Sequence, residues 1–170
     1  MKPFCTFILI ALLSSTVWSQ EERLTTETTT YYFIRHAEKL RIDKTDQNPK
    51  LSEAGLKRAD AWREIFSNVN LDAVYSTDYS RTKLTAKPTA ESKNLPILLY
   101  DPSDMYSDSF QRETSGQTVL VVGHSNTTNV FANKALGEEK YGQIDDNNNS
   151  NLYIVTVIDE KPSSVLLKID

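Results

Sequence analysis

Each of the chain's two histidines stands directly after an apolar run. The first run, Thr29 to Ile34, leads into Arg35-His36, and the second, Thr118 to Val122, leads into Gly123-His124. β-Branched and aromatic residues dominate both runs, the pattern of strands buried inside a sheet. In an open α/β sheet, ligands bind just beyond the carboxyl ends of the strands. If the two strands lie side by side and parallel, both imidazoles enter one pocket.

The sequence between and around them alternates strand and helix signals. Lys39 to Lys50 is polar, with an Asn48-Pro49 turn, and reads as a surface loop. Ser52 is a good N-cap. After it, Leu56, Ala59, Trp62 and Phe66 fall on one face of a helix that should end near Asn68 or Asn70. Leu71 to Tyr75 reads as a second strand, and Ser76-Thr77-Asp78 turns from it into a helix bearing Arg81, Leu84 and Ala86. Pro88 predicts that this helix stops before it. A third strand is expected over Pro96 to Tyr100. Asp101-Pro102 should then open a helix running to about Thr114, with Met105 and Phe110 inward. Ser125 to Leu136 is expected to be helical and to end at Gly137. Asp145 to Asn151 reads as a polar loop and Leu152 to Ile158 as a fifth strand. Val165, Leu167 and Ile169 alternate after Pro162, as in a final edge strand. The fold class that follows is α/β, a three-layer sandwich around a mainly parallel sheet with an antiparallel edge.

The chain of 170 residues suits one such domain. Its first residues read as a signal peptide over 1–19: Lys2 supplies a positive start, Phe4 to Leu13 is apolar, and Val17 and Ser19 fit a cleavage site before Gln20. The apolar run is shorter than the ~20 residues that span a bilayer, so retention as an anchor is the alternative and stable insertion after cleavage is not expected. Residues 20–29 form a polar lead-in and 30–170 the domain. The single cysteine, Cys5, would leave with the signal, removing disulfides, thiol catalysis and cysteine metal sites. The expected location is therefore periplasmic or secreted. A net charge of -4 offers no overall field for nucleic acid.

Chemistry concentrates at three strand-turn-helix junctions: Arg35 and His36, then Ser76 to Arg81, then His124 and Ser125. Two arginines and two histidines converging on one point make an anion pocket. Guanidinium forks match phosphoryl oxygens, and helix N-termini can add N–H donors. Each residue alone carries little; the combination carries the argument.

These junctions resemble a known family. Arg35-His36-Ala37-Glu38 resembles the Arg-His-Gly-Glu signature of the histidine phosphatase superfamily, also called phosphoglycerate mutase-like. Leu51 to Ala59 resembles its next helix, Tyr75 to Thr82 its second arginine motif, and Val121 to Thr127 its second histidine motif. The resemblance implies that His36 attacks phosphorus and becomes a phosphohistidine, while Arg35, Arg81 and His124, with Ser125 beside them, hold the phosphoryl oxygens. It implies a small phosphorylated substrate and no cofactor or metal, since the arginines supply the positive charge. The attacking imidazole also needs an acceptor for its other nitrogen, and the sequence leaves that acceptor open.

Two positions depart from the family pattern: Ala37 replaces glycine, and Lys39 stands where Ser or Thr is common. The proton donor for a leaving alcohol is also open among Asp101, Asp104 and Glu38, although Asp101 and Asp104 serve equally well as helix caps. Poor provision of an acid favours good leaving groups such as phosphoramidates. Lys39, Arg41, Lys44 and Lys50 could extend the positive mouth or simply be solvated. The expected function is an exported phosphatase. Phosphate transfer by a mutase and phosphate binding without catalysis are the alternatives.

Overall fold

A computed structural model describes residues 27–169. The signal peptide and most of the lead-in lie outside them. The elements run in the order β1 (Thr28–Arg35), α1 (Glu53–Ile65), β2 (Ala73–Ser76), α2 (Ser80–Ser92), β3 (Ile97–Leu99), α3 (Asp108–Thr114), β4 (Thr118–Gly123), α4 (Thr128–Leu136), β5 (Asn151–Ile158) and β6 (Lys161–Lys168). They form one six-stranded sheet of order β3-β2-β4-β1-β5-β6. The first four of these strands pair in parallel, whereas β5 and β6 add an antiparallel edge.

The two histidine-bearing strands occupy the middle of the sheet. β1 pairs directly with β4, from Thr30 opposite Thr118 to Arg35 opposite Gly123. Side chains alternate between the faces of a strand. Tyr31 and Phe33 of β1 thus join Val119 and Val121 of β4 under Phe110 of α3 and Phe131 of α4. Ile34, Leu120 and Val122 face the other way, against Trp62 of α1 and Ala86 and Ala90 of α2. Both faces of the central strands are therefore covered, giving the expected three layers. Burial of each such large apolar side chain contributes about 1.5–3 kcal/mol.

Local signals set most of the boundaries. Ser52 caps α1, its hydroxyl accepting from the Gly55 N–H at 3.1 Å. Gly137 ends α4 in the left-handed conformation, with φ of 77°. The β5–β6 hairpin turns on Asp159 and Glu160, whose φ values of 47° and 63° are those a two-residue hairpin requires.

Five expectations need correction. Leu56 is 52% exposed, because the buried stripe of the α1 segment is Gly55, Ala59, Trp62 and Phe66, and Leu56 lies one residue off it. α2 continues through Pro88 to Ser92, since burial of Ala86, Thr89 and Ala90 offsets the backbone hydrogen bond that proline cannot donate. The helix expected from Asp101 begins only at Asp108, capped by Ser107, because Asp101 instead accepts from the Ser103 N–H at 2.8 Å and closes a turn. α4 likewise begins at Thr128, three residues after Ser125. The strand over Thr28–Arg35 also takes in two residues assigned to the lead-in.

Candidate active site

The parallel register of β1 and β4 brings both chain exits to the same level. The His36 N–H donates to the Gly123 carbonyl at 2.9 Å, continuing the ladder one residue past the strand. The two imidazoles lie edge to face, with ring centroids 5.5 Å apart. Gly123 is required by crowding: a Cβ there would stand 2.9 Å from Thr128 Oγ1 and 2.9 Å from the Tyr100 hydroxyl.

His36 is only 3% exposed. Its Nδ1–H donates to the Ala37 carbonyl at 2.7 Å, so Nε2 carries the free lone pair. This supplies the acceptor that the sequence left open. Burial, with Arg35, His124 and Arg81 around it, lowers its pKa to about 3, so the ring is neutral at ordinary pH. The Ala37 N–H donates to Thr85 Oγ1 at 2.9 Å, and that hydroxyl donates to the Arg81 carbonyl at 2.7 Å, tying the exit of β1 to the first turns of α2. Ala37 is fully buried beside Leu51 and Ala59 and is not among the residues with positive φ. Alanine therefore meets no backbone strain at that position.

Arg35 is 2% exposed and is held by the chain leading into β5. Its Nη1 donates to the carbonyls of Asp145, Asp146 and Asn148 at 2.9, 3.0 and 3.1 Å. Its Nη2 meets Asp146 Oδ1 at 2.8 Å, while Arg41 meets the other oxygen of that carboxylate at 2.8 Å. These hydrogen bonds hold the Asp146 carboxyl below the usual range, the one from Arg35 contributing most. Asn149 adds a 2.8 Å hydrogen bond from its amide to the His36 carbonyl.

Arg81, in the first turn of α2, points Nη2 at His124 Nδ1 from 3.3 Å. Its guanidinium carbon lies 4.5 Å from the centre of the Tyr79 ring. The Nε–H groups of Arg35 and Arg81 are buried with no hydrogen-bond partner among the described residues. Such orphan donors are costly unless a ligand accepts from them. The other nitrogen of His124, Nε2, lies 2.8 Å from Thr77 Oγ1. A cavity of about 110 Å³ beside His36 is lined by Arg35, Glu38, Lys39, Arg41, Asp146, Asn147 and Asn149.

The structure thus brings Arg35, His36, Arg81 and His124 together. Ser125 sits in the turn just after His124, half-buried. Among the proposed acids, Glu38 lines the cavity but places Oε1 2.8 Å from Arg58 Nε. Asp101 is exposed and turned onto the N–H and hydroxyl of Ser103, which hold its carboxyl below the usual range. Asp104 is exposed in the same turn. Of the loop cations, Lys39 and Arg41 reach the cavity, Lys44 lines a neighbouring one, and Lys50 lies elsewhere beside Ser80 and Lys83.

Sequence reasoning passed over Asp146, Asn149, Thr77, Thr85 and Tyr79. In sequence Asp145 to Asn151 reads only as a polar loop, and its contribution comes largely from backbone carbonyls that any residue carries. A hint lay in the threonines of the second arginine motif, hydroxyls at a site otherwise built from charged donors.

Comparison with known proteins agrees with this geometry. The model of the histidine phosphatase superfamily (branch 1) matches residues 31–101, which hold the first histidine and both arginines. Phosphoserine phosphatase 1 of Hydrogenobacter thermophilus is 43% identical over 54 residues, which are 32% of this chain and 26% of that protein. The chain thus spans about a quarter of that relative's length. The fold is similar to the protein histidine phosphatase SixA complexed with tungstate, with a TM-score of 0.65, 17% identity, and 82% of this chain and 96% of that one covered. It is also similar to a mycobacterial glucosyl-3-phosphoglycerate phosphatase, with a TM-score of 0.63, 10% identity, and 84% and 100% covered. Over residues 31–101 the chain is similar to the histidine phosphatase superfamily, and its α/β fold is similar to that of solved histidine phosphatases.

Proposed function

We propose that the protein is an exported phosphatase that cleaves a phosphoester or phosphoramidate through a phosphohistidine on His36. The observation that carries this reading is the Nδ1–H bond from His36 to Ala37, which leaves a bare Nε2 on a neutral ring that burial and the nearby Arg35 and Arg81 keep unprotonated. Nε2 attacks phosphorus, the bond to the leaving group breaks, and the phosphoryl group passes to the ring. Arg35 and Arg81 offer buried N–H donors to the oxygens as charge shifts onto them. Water then attacks the phosphohistidine, releasing phosphate and restoring His36. The poor supply of free carboxylic acid favours leaving groups that need little help, phosphoramidates among them. The relatives' phosphatase names support the reaction class, and the apolar N-terminal segment supports export.

The test is turnover of an aryl phosphate with chelator present, by wild type and by His36→Ala. Wild type should turn over and trap acid-labile phosphate on a histidine, and the variant should do neither. Full activity in the variant overturns the reading. Phosphate binding by wild type without any trapped intermediate would leave a binding module instead. N-terminal sequencing of the mature protein checks export, with Gln20 as the expected first residue.

A further inference from the structure

The hydrogen bonds of His124 fix where its proton sits. A guanidinium only donates. Since Arg81 Nη2 approaches Nδ1 at 3.3 Å, Nδ1 must be the bare nitrogen. Nε2 therefore carries the hydrogen and donates it to Thr77 Oγ1 at 2.8 Å. Thr77 donates in turn to Thr82 Oγ1 at 3.0 Å, and Thr82 lies 2.9 Å from the carbonyls of both Thr77 and Tyr79. The relay runs one way and ends on carbonyls that cannot return a proton. Both threonines are fully buried, so no solvent competes.

The surroundings oppose a second proton on the ring. From β1 and the loop after it, Arg35 and Lys39 act on His124, with neutral His36 beside it; from the start of α2, Arg81 and the Tyr79 ring face it. Burial first, and then these charged groups, all of them cations, lower the His124 pKa to about 4. The resting pocket therefore presents a lone pair, not a donor, on the side where Arg81 waits.

We infer that Thr77 is a positioning residue that keeps Nδ1 of His124 bare, so that the site takes the phosphoryl group as its proton-bearing monoanion and His124 hands that proton to the leaving group. The inference rests on the phosphatase reading and deepens it. As the anion draws Arg81 away from Nδ1, a phosphoryl oxygen bearing hydrogen can donate to the vacated lone pair, whereas a dianion would set oxygen lone pair against nitrogen lone pair. The step balances. The Nε2–P bond of His36 forms and the bond from phosphorus to the leaving oxygen breaks. The phosphoryl proton passes through Nδ1 to that oxygen, and His124 ends neutral, as it began. This supplies the acid that Asp101, Asp104 and Glu38 are poorly placed to provide.

The experiment has two independent arms. The first is 15N NMR of the imidazoles in the full-length mature protein, which reads the tautomer without turnover. Hydrogen on Nε2 and a bare Nδ1 are expected for His124 between pH 6 and 8, a window on the order of its ordinary titration range; the reverse tautomer or an imidazolium overturns the inference. The second is kcat/KM against pH for phenyl phosphate. It should fall about tenfold per pH unit above the second ionisation of the ester, near ~6. A profile that is flat or rises through this range overturns it. Thr77→Val should lower kcat for phenyl phosphate roughly a hundredfold, the size of a lost proton transfer, and lower that for p-nitrophenyl phosphate much less. Thr77→Ser should restore both. Equal losses on the two esters, or no rescue by serine, would make Thr77 structural only. If wild type turns over neither ester while NMR shows the stated tautomer, the phosphatase reading fails, and the role in proton transfer falls with it.

Discussion

At the scale of single residues, hydrogen bonds decide which ring nitrogen of each histidine is bare. His36 keeps Nε2 free because Nδ1 is spent on Ala37, and His124 keeps Nδ1 free because Nε2 is spent on Thr77. The two arginines differ in how they are held. Arg35 is gripped by three carbonyls and a carboxylate, whereas Arg81 touches a neutral ring nitrogen, the Tyr79 face and the Gln47 carbonyl at 3.5 Å. Arg81 is therefore the guanidinium freer to move onto an incoming anion. Replacing it with lysine keeps the charge but removes the planar fork. Arg81→Lys should lower kcat/KM by about 10²–10³, the scale of losing an oriented donor to developing charge. Aryl phosphate kinetics at fixed pH check this, and a loss under fivefold would show that charge alone suffices.

At the scale of elements, α1 is seated on the exit of β1. The Glu38 carbonyl accepts from the Ser52 N–H at 2.8 Å and from its hydroxyl at 3.1 Å. A Cβ on Gly55 would come within 2.1 Å of that same carbonyl. Gly55→Ala must push the helix off the strand exit two residues from His36. It should cost about 1–3 kcal/mol, as overpacking does, and lower kcat as well. Ser52→Ala should cost about 1 kcal/mol through the lost cap. Urea midpoints measure both. Most of these elements were legible in the sequence because burial on two faces leaves continuous apolar strands and because Ser52 and Gly137 mark helix ends by local chemistry. Pro88 misled because packing of Ala86 and Ala90 overrode its propensity. Leu56 misled because one residue of helical phase separates the buried stripe from solvent. The clamp on Arg35 was illegible for another reason: it is made of main-chain carbonyls, placed only once β5 pairs with β1.

At the scale of the whole molecule, two neutral histidines, His36 buried and His124 half-buried, make the fold sensitive to acid. An unfolded histidine titrates near ~6.5, whereas His36 is held at about 3 and His124 at about 4. Between these values the unfolded chain binds more protons than the folded one. Stability is therefore full above the unfolded value and declines as pH falls toward the folded values, at up to about 1.4 kcal/mol per pH unit for His36. Urea midpoints taken from pH 7 to 4 should fall, and His36→Gln should flatten that slope. An unchanged slope in the variant would place the acid sensitivity elsewhere. A further consequence belongs to the β1–β4 ladder, in which Arg35 stands opposite Gly123. Shifting either strand by one residue would turn its side chains to the other face and move them ~3.3 Å along the sheet. The separation of the imidazoles is thus ruled by main-chain pairing deep in the core, while the mouth is drawn by surface segments such as 39–50. The two can vary separately: surface segments can be rewritten to suit a different ligand while the two imidazoles stay in step.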